Sequence, residues 1–457
     1  MEPALGGDVP GASARPHHRL RGVRPPRHAD RGRGHRRRPV VKVVVVGAGI
    51  AGLCCAYYLC KHDVDVIVLD GQRVGSPVAS SYGNGGWICP AQAGPLPEPG
   101  LTGHGVRGLL ARDSALYFRP SYLPRLVPWL ARFRRYCNHR DHEAGTAALA
   151  GLGRRVFQLV DEMAEDGIEP EIYKLGMICA TADERDARKV LEGLQGMRRH
   201  GYTLPDELLI GDELHAVEPA LSERVRAGFY MSEQWHVRPT TMTLGIAARL
   251  REQGVEIRER VRVEGFDVAD GTVRAARTST GDVSADAFVL AAGSWTTPLA
   301  RTIGVRLPMQ PGKGYSFLLS PKVMPRHGIL FADIHAGATP LGDRLRIGGT
   351  MEFSGFDRTI DRRRVDTVFR LAREYIELER PDYEEPWAGL RPMTVDGLPV
   401  VDRSPRHANA FIATGYSMLG MTLAQPAGEA LAQFLTTGER PAVLEPFRAD
   451  RFRRRLL

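Results

Sequence analysis

The stretch VVKVVVVGAGIAGLCCAYYL, Val40 to Leu59, limits the fold more than any other part of the chain. A β-branched run breaks at Gly47-x-Gly49-x-x-Gly52 and continues as a helical pattern of small and apolar residues. Strand, tight turn and helix in that order make a seat for the pyrophosphate of a dinucleotide. Gly47 permits the turn, Gly49 lets the backbone approach the phosphates, and Gly52 lets helix and strand pack closely. The helix then opens at Ile50 and Ala51, where free N–H groups favour an anion. A second apolar strand, VDVIVLD from Val64 to Asp70, ends in an acid 18 residues beyond Gly52 and suited to accept from ribose hydroxyls. The glycines alone would fit a ligand-free turn equally well; with both strands, the helix and the acid they specify a nucleotide-binding βαβ unit.

Charge excludes one class of partner. Residues 1–38 carry ten Arg against Glu2, Asp8 and Asp30, or +7 of the formal +9, leaving 52 basic and 50 acidic residues in the other 419. A nearly neutral body carries no nucleic-acid footprint. The tail has few large apolar residues to offset the entropy of ordering and reads as disordered. A start codon assigned too far upstream would account for it equally. Its Arg36-Arg37-Arg38 run resembles the start of a secretion signal, but the apolar stretch that follows is needed as a strand. The six cysteines, Cys54, Cys55, Cys60, Cys89, Cys137 and Cys179, lack metal-ligand spacing, so no metal is expected. They suit a reducing, cytoplasmic setting. No apolar run reaches the ~18 residues a bilayer requires.

Helical runs separated by Pro and Gly follow from about Leu101 to Gly228, among them RLVPWLARFRRYC and GLGRRVFQLVDEMAEDG. Nucleotide-domain strands return in GVEIRERVRVEGFDV and ADAFVLAAGSWT. Strand-like alternation occupies KGYSFLLS and RLRIGGTMEF, with a helix near Val365 to Glu379. The strand NAFIATGYS and a helix from about Met421 to Leu435 close the chain. The reading is an α/β nucleotide-binding domain of residues 39–100, 229–310 and 385–457, interrupted by a strand-rich α+β substrate domain of 101–228 and 311–384. Such interruption suits a flavin, which spans enough protein that distant segments must converge on it.

Five segments resemble the FAD-dependent D-amino-acid oxidoreductases, most of all the bacterial D-amino-acid dehydrogenases. They are GAGIAG, SSYGNGGWICP (Ser80 to Pro90), AAGSW (Ala291 to Trp295), PGKGYS (Pro311 to Ser316) and the block from Gly389 to Ala424. The resemblance implies a Rossmann-type, glutathione-reductase-like FAD domain. It implies hydride transfer from the Cα of a D-amino acid to flavin N5, giving an imino acid that water converts to a 2-oxo acid and ammonia. It places Ser80, Asn84, Gly85 and Gly86 beside the isoalloxazine, with Gly83, Gly85 and Gly86 permitting close approach. Val263 falls at the adenine, Ala292, Gly293 and Trp295 toward the pyrophosphate side, and Gly420, Met421 and Thr422 at a helix start near flavin N1, with Pro426 in the first turn. No cysteine occupies the position that tethers flavin in monomeric sarcosine oxidases, so the FAD is expected to be non-covalent.

The family's carboxylate clamp corresponds to Arg391 in Gly-Leu-Arg-Pro. A planar guanidinium suits it, because two parallel donors fix a carboxylate in orientation as well as position. Tyr416 and Tyr315 are candidate hydroxyl donors to the same carboxylate, and His335 a candidate facing the substrate. Glycine-oxidising members carry a second Arg where this chain has Met418, which makes the pocket more apolar and favours a larger side chain. The electron acceptor, quinone or oxygen, is left open. So are an oxygen-using oxidase and a D-hydroxyproline or other secondary-amine dehydrogenase on the same scaffold. A different class, a non-catalytic nucleotide- or nucleic-acid-binding protein recruited through its tail, is the competing reading. Leu123 to Cys137, with Trp129, Leu130 and Phe133 among four Arg, has the composition of a helix lying on the inner face of the plasma membrane. Packing of the same apolar side against the domain is the alternative.

Overall fold

The computed structural model describes residues 41–100, 115–379 and 382–452. The tail of residues 1–38 and the start of the helical stretch read from Leu101 lie outside the described residues. The described residues form one compact unit.

A six-stranded sheet holds, in spatial order, Glu256–Glu259, Asp65–Asp70, Lys42–Val46, Ala287–Leu290, Ala410–Thr414 and Val400–Arg403. The first five run parallel and the last antiparallel. Parallel strands covered on both faces need unbroken apolar sequence, and VVVV supplies it. Val43 and Val45 face a core shared with helices Ile50–Cys60, Pro239–Glu252 and Gly420–Thr437. Val44 and Val46 face another, shared with the antiparallel pair Val263–Ala269 and Thr272–Thr278. Helix Ile50–Cys60 is apolar almost all round because helix Gly420–Thr437 presses on its outer side; a Cβ on Gly428 would lie 2.9 Å from the Cys54 carbonyl carbon.

The second sheet has nine strands. Its path runs Glu384–Thr394, Met309–Leu319, Arg344–Phe353, Ala336–Leu341, Gly328–Phe331, Met177–Thr181, Ala227–Met231 and Leu209–Ile210, with Leu116–Phe118 also pairing on Arg344–Phe353. Helix Arg362–Ala372, capped by the Asp361 side chain on the Arg363 N–H at 3.0 Å, packs Val365 and Val368 on one face.

Several boundaries differ from the sequence reading. Residues 385–394, assigned there to the nucleotide domain, form the edge strand of the nine-stranded sheet. GVEIRERVRVEGFDV divides at Arg260, whose φ of 62° turns the chain out of the parallel sheet. GLGRRVFQLVDEMAEDG divides at Arg154 and Arg155 into the end of helix His139–Gly153 and helix Val156–Glu165. The helix near Val365 to Glu379 starts earlier and ends at Ala372. Leu123–Tyr136 is a helix, but Trp129 and Phe133 are buried in the protein core, so the apolar side read as facing a membrane is already occupied. No helix among the described residues is long and apolar enough to cross a membrane.

His236 lies fully buried in a small sheet of Trp87–Ile88, Trp235–Val237 and Ile172–Tyr173, stacked on Tyr173 at 4.6 Å. Burial, helped by nearby His327, lowers its pKa to about 4 from an ordinary 6.5. Between those values the unfolded chain binds the extra proton, so stability is complete above pH 6.5 and falls as pH drops through the window. His236→Phe is expected to remove a term on the order of 3 kcal/mol from that acid-side loss. Urea midpoints from pH 7 to 4 test it: parallel curves for the two proteins would contradict the assignment.

Candidate active site

The glycines of the first turn divide by what surrounds them. A Cβ on Gly52 would lie 1.8 Å from the Gly47 carbonyl oxygen, and one on Gly47 2.6 Å from that of Ala291. These two lock turn, helix and neighbouring strand together. Gly49 is different: a Cβ there would meet only Ser81 Oγ, at 3.9 Å. The space in front of Gly49 is open, and no side chain caps the helix that starts at Ile50 and Ala51. Asp70 accepts from the N–H of Ala48 and of Gln72, each at 2.7 Å, which leaves lone pairs on both oxygens. Burial raises its pKa against the effect of those two donors. The N–H of Val261 bonds the Asp70 carbonyl at 2.8 Å, which brings Val263 near the same strand end.

Three distant segments meet at one carbonyl. Strand Glu384–Thr394 pairs with Met309–Leu319 on one side only, and its outward Leu390 oxygen accepts from Ser80 Oγ at 2.6 Å and Ser294 Oγ at 3.0 Å. An edge carbonyl left bare would cost free energy, so the two hydroxyls both satisfy it and fix the Ser80 loop and the Ala291–Trp295 turn against the strand. Gly293, with φ 54°, has nothing within 4 Å of a Cβ position, and the Thr414 hydroxyl donates to its carbonyl at 2.8 Å. Ala292 and Trp295 flank it, half-buried. The Asn84 side chain accepts from the Gly86 N–H at 2.7 Å and reaches the Met418 carbonyl at 3.4 Å.

Two of the neighbouring glycines are also required by the protein's own packing. Gly83 lies under the Trp387 ring, 2.2 Å from a Cβ, and Gly86 under the Val237 carbonyl, 1.9 Å away. Gly85 alone of the three has only ordinary contacts. The last helix begins at Gly420, with Met421 buried behind it and the Thr422 hydroxyl bridging the Trp87 carbonyl (3.0 Å) and the Cys89 N–H (3.2 Å). Pro426 is its seventh residue, inside the second turn and not the first.

Arg391 lies beside this convergence. Its register partner is Gly312, and its guanidinium lies across Gly314, where a Cβ would stand 2.3 Å from Cζ. Nη1 donates to the Thr350 carbonyl at 2.6 Å and lies 3.7 Å from Met351 Sδ. Thr350 adopts a φ of 59°, rare for a β-branched residue, so the backbone bends to present that carbonyl. No carboxylate among the described residues pairs with Arg391. Burial lowers its pKa to about 10, which leaves it cationic at neutral pH.

The opposite face of the same strands shows a cation that is satisfied. Lys313, 1% exposed, meets Glu352 at 2.9 Å; Glu352 also accepts from Tyr315 at 2.6 Å and lies 3.9 Å from buried Arg364. Glu352→Ala takes the nearest carboxylate from buried Lys313, leaving it Asp357 at 3.4 Å, and is expected to cost about 3 kcal/mol. A denaturant midpoint unchanged from wild type would contradict this.

Tyr315 therefore belongs to that network, on the far side of the sheet from Arg391. Tyr416 also turns away, into the core beside Cys54 and Cys55, where burial raises its pKa well above the ordinary value. The Tyr315 hydroxyl expected at the substrate carboxylate is thus taken by Glu352, and Tyr416 lies in the core. Its neighbour Ser417 does approach the Arg391 strand: the Ser417 N–H donates to the Pro392 carbonyl at 3.2 Å, and Met418 beside it is 46% exposed. His335 is exposed at a turn with φ 51°, next to Ala336, whose partner Gly349 precedes Thr350. Thr350, Met351, Gly314 and Ser294 were not foreseen. The Gly348-Gly349 pair interrupting RLRIGGTMEF was the available signal for the first two.

The family model of FAD dependent oxidoreductases matches residues 42–434. A D-amino acid dehydrogenase of Methylobacterium nodulans is 32% identical over 413 residues, covering 88% of this chain and 97% of the relative. One of Rhizorhabdus wittichii is 30% identical over 414 residues, covering 88% and 98%. Among solved structures, glycine oxidase from Geobacillus kaustophilus aligns with TM-score 0.70 at 21% identity over 90% of this chain and 99% of that one. L-proline dehydrogenase from P. horikoshii aligns with TM-score 0.68 at 19% identity over 91% and 98%. These two likenesses show the fold alone.

Proposed function

Since the chain belongs to the FAD-dependent oxidoreductase (DAO) family, we propose that it oxidises D-amino acids to 2-oxo acids and ammonia as a dehydrogenase. One observation carries the reading: Arg391 is half-buried, cationic and, among the described residues, without a carboxylate partner, while Lys313 on the same strand pair is fully buried and paired. A partly desolvated guanidinium with one side held by a backbone carbonyl is short of an anion, and the α-carboxylate of an amino acid supplies it. Met351 and Met418 make the neighbouring surface apolar, which fits a substrate side chain larger than hydrogen.

The residues fit the cofactor. The open space before Gly49, the uncapped helix at Ile50 and the unobstructed Gly293 form a cradle that any added Cβ would narrow. FAD, when bound, supplies the two-electron acceptor for the hydride that leaves Cα. Arg391 holds the carboxylate, so that only the enantiomer whose single Cα hydrogen then points inward can lose hydride. The N–H groups at the start of helix Gly420–Thr437 offer about +0.5 of charge to an anion. Attachment is non-covalent in this reading: Cys54, Cys55, Cys89 and Cys179 are buried with raised pKa values, and none lies on the Arg391 strand. Electrons then pass to a quinone-type acceptor, and peripheral contact with a membrane would serve that transfer. The test is product balance with an artificial quinone under anaerobic conditions. One 2-oxo acid and one ammonia should form per quinone reduced. Quinone-independent turnover in air at the same rate would assign an oxidase instead.

A further inference from the structure

Away from the proposed active site, helix Leu123–Tyr136 and the segment from Arg301 to Gln310 enclose a cleft of about 560 Å³. Four arginines line it: Arg125 and Arg132 from the helix, Arg301 and Arg306 from the facing chain. Arg125, Trp129 and Arg132 follow an i, i+4, i+7 spacing, so all three share one side of the helix. No Asp or Glu lines the cleft, and none of the four guanidiniums forms an ion pair among the described residues.

By contrast, Arg155, Arg188, Arg238, Arg258 and Arg448 each meet a carboxylate within 3 Å. Four like charges around one space repel, and a bound anion removes the repulsion. Neutral donors are present too. The Trp129 indole N–H is buried without a partner among the described residues, and Gln310, whose Oε1 accepts from Tyr122 at 2.7 Å, keeps its amide N–H groups to donate. Leu307 and Met309 give the cleft an apolar floor continuous with the core.

We propose that this cleft binds a phosphate-bearing anion. Planar guanidiniums present paired donors to phosphate oxygens, and four of them match a group carrying more than one negative charge. A carboxylate substrate would need only one. The ligand is either a free phosphate compound or the headgroup of an anionic lipid, and both present the same chemistry to the cleft.

The FAD-loaded enzyme is titrated calorimetrically with inorganic pyrophosphate at low salt, alongside three variants. Arg125→Glu and Arg301→Glu alter exposed cleft residues, and Arg134→Glu makes the same charge change on the same helix outside the cleft. Each cleft variant should bind at least about tenfold more weakly, as expected for losing a charge-assisted contact and gaining a repulsive one. Arg134→Glu should change affinity less than about twofold. Flavin absorbance and anaerobic reduction by a D-amino acid report that each variant is folded. A second arm measures co-sedimentation with phosphatidylcholine vesicles, with and without phosphatidylglycerol. Pyrophosphate binding together with Arg125-dependent binding to the anionic vesicles identifies a lipid headgroup; pyrophosphate binding without vesicle binding identifies a free phosphate. Absence of pyrophosphate binding by the wild type, or equal losses in all three variants, overturns the proposal.

Discussion

Arg391→Ala is expected to give a folded, yellow protein whose flavin is reduced by D-amino acids about a thousandfold more slowly at low substrate. Losing the partner of a buried charge commonly costs 2–5 kcal/mol, and 4 kcal/mol is close to a factor of a thousand. The fold should tolerate the change, because the guanidinium contributes one bond to the Thr350 carbonyl and its burial as a lone cation is itself unfavourable. Arg391→Lys should recover part of the binding and little of the orientation, since an ammonium keeps the charge without the two-pronged geometry. Gly314→Ala provides an independent route to the same loss: its methyl would occupy the place of the guanidinium, 2.3 Å from Cζ. Flavin content and single-turnover reduction measure both. Normal turnover by Arg391→Ala would remove the clamp from the account.

The second large effect separates two glycines three residues apart. Gly49→Val should fold and purify without FAD. At Gly49, φ is -76° and ψ 175°, an extended backbone open to any residue, and a Cβ meets nothing closer than 3.9 Å. The side chain then fills the space in front of the helix start. Gly52→Val should fail earlier, because its Cβ would lie 1.8 Å from the Gly47 carbonyl oxygen, a backbone atom that cannot rotate away. Circular dichroism and released flavin distinguish the outcomes: native-like ellipticity without flavin for the first, loss of folded protein for the second. Stoichiometric flavin in Gly49→Val would show that the cradle lies elsewhere.

The contrast between these glycines marks how far the sequence could be read. A strand buried on both faces has to be apolar throughout, and a strand-to-helix turn this tight has to be glycine, so Lys42–Val46 and Ile50–Cys60 were legible from residue type alone. The edge strand carrying Arg391 was harder to place, because its partner Met309–Leu319 lies some 70 positions earlier and nothing local announces the pairing. Arg391 itself came from resemblance to a family, not from spacing. Tyr315 was misplaced for a plain reason: strand residues alternate faces, and it shares its face with Lys313, not with Arg391. Thr350 was hidden because its role rests on a backbone carbonyl and a left-handed φ, neither of which a threonine in a strand suggests. Glycines 83 and 86 are required by Trp387 and the Val237 carbonyl whatever the cofactor does, a packing cause that residue type alone does not reveal.

The central claim is that a guanidinium on this flavoprotein scaffold aims one enantiomer of an amino acid for hydride loss. The most direct test mixes the purified yellow enzyme, without oxygen, with the D and then the L form of the same amino acid and follows the visible flavin absorbance. Bleaching by the D form and none by the L form is the predicted result; equal bleaching by both, or by neither across a panel of amino acids, would contradict it.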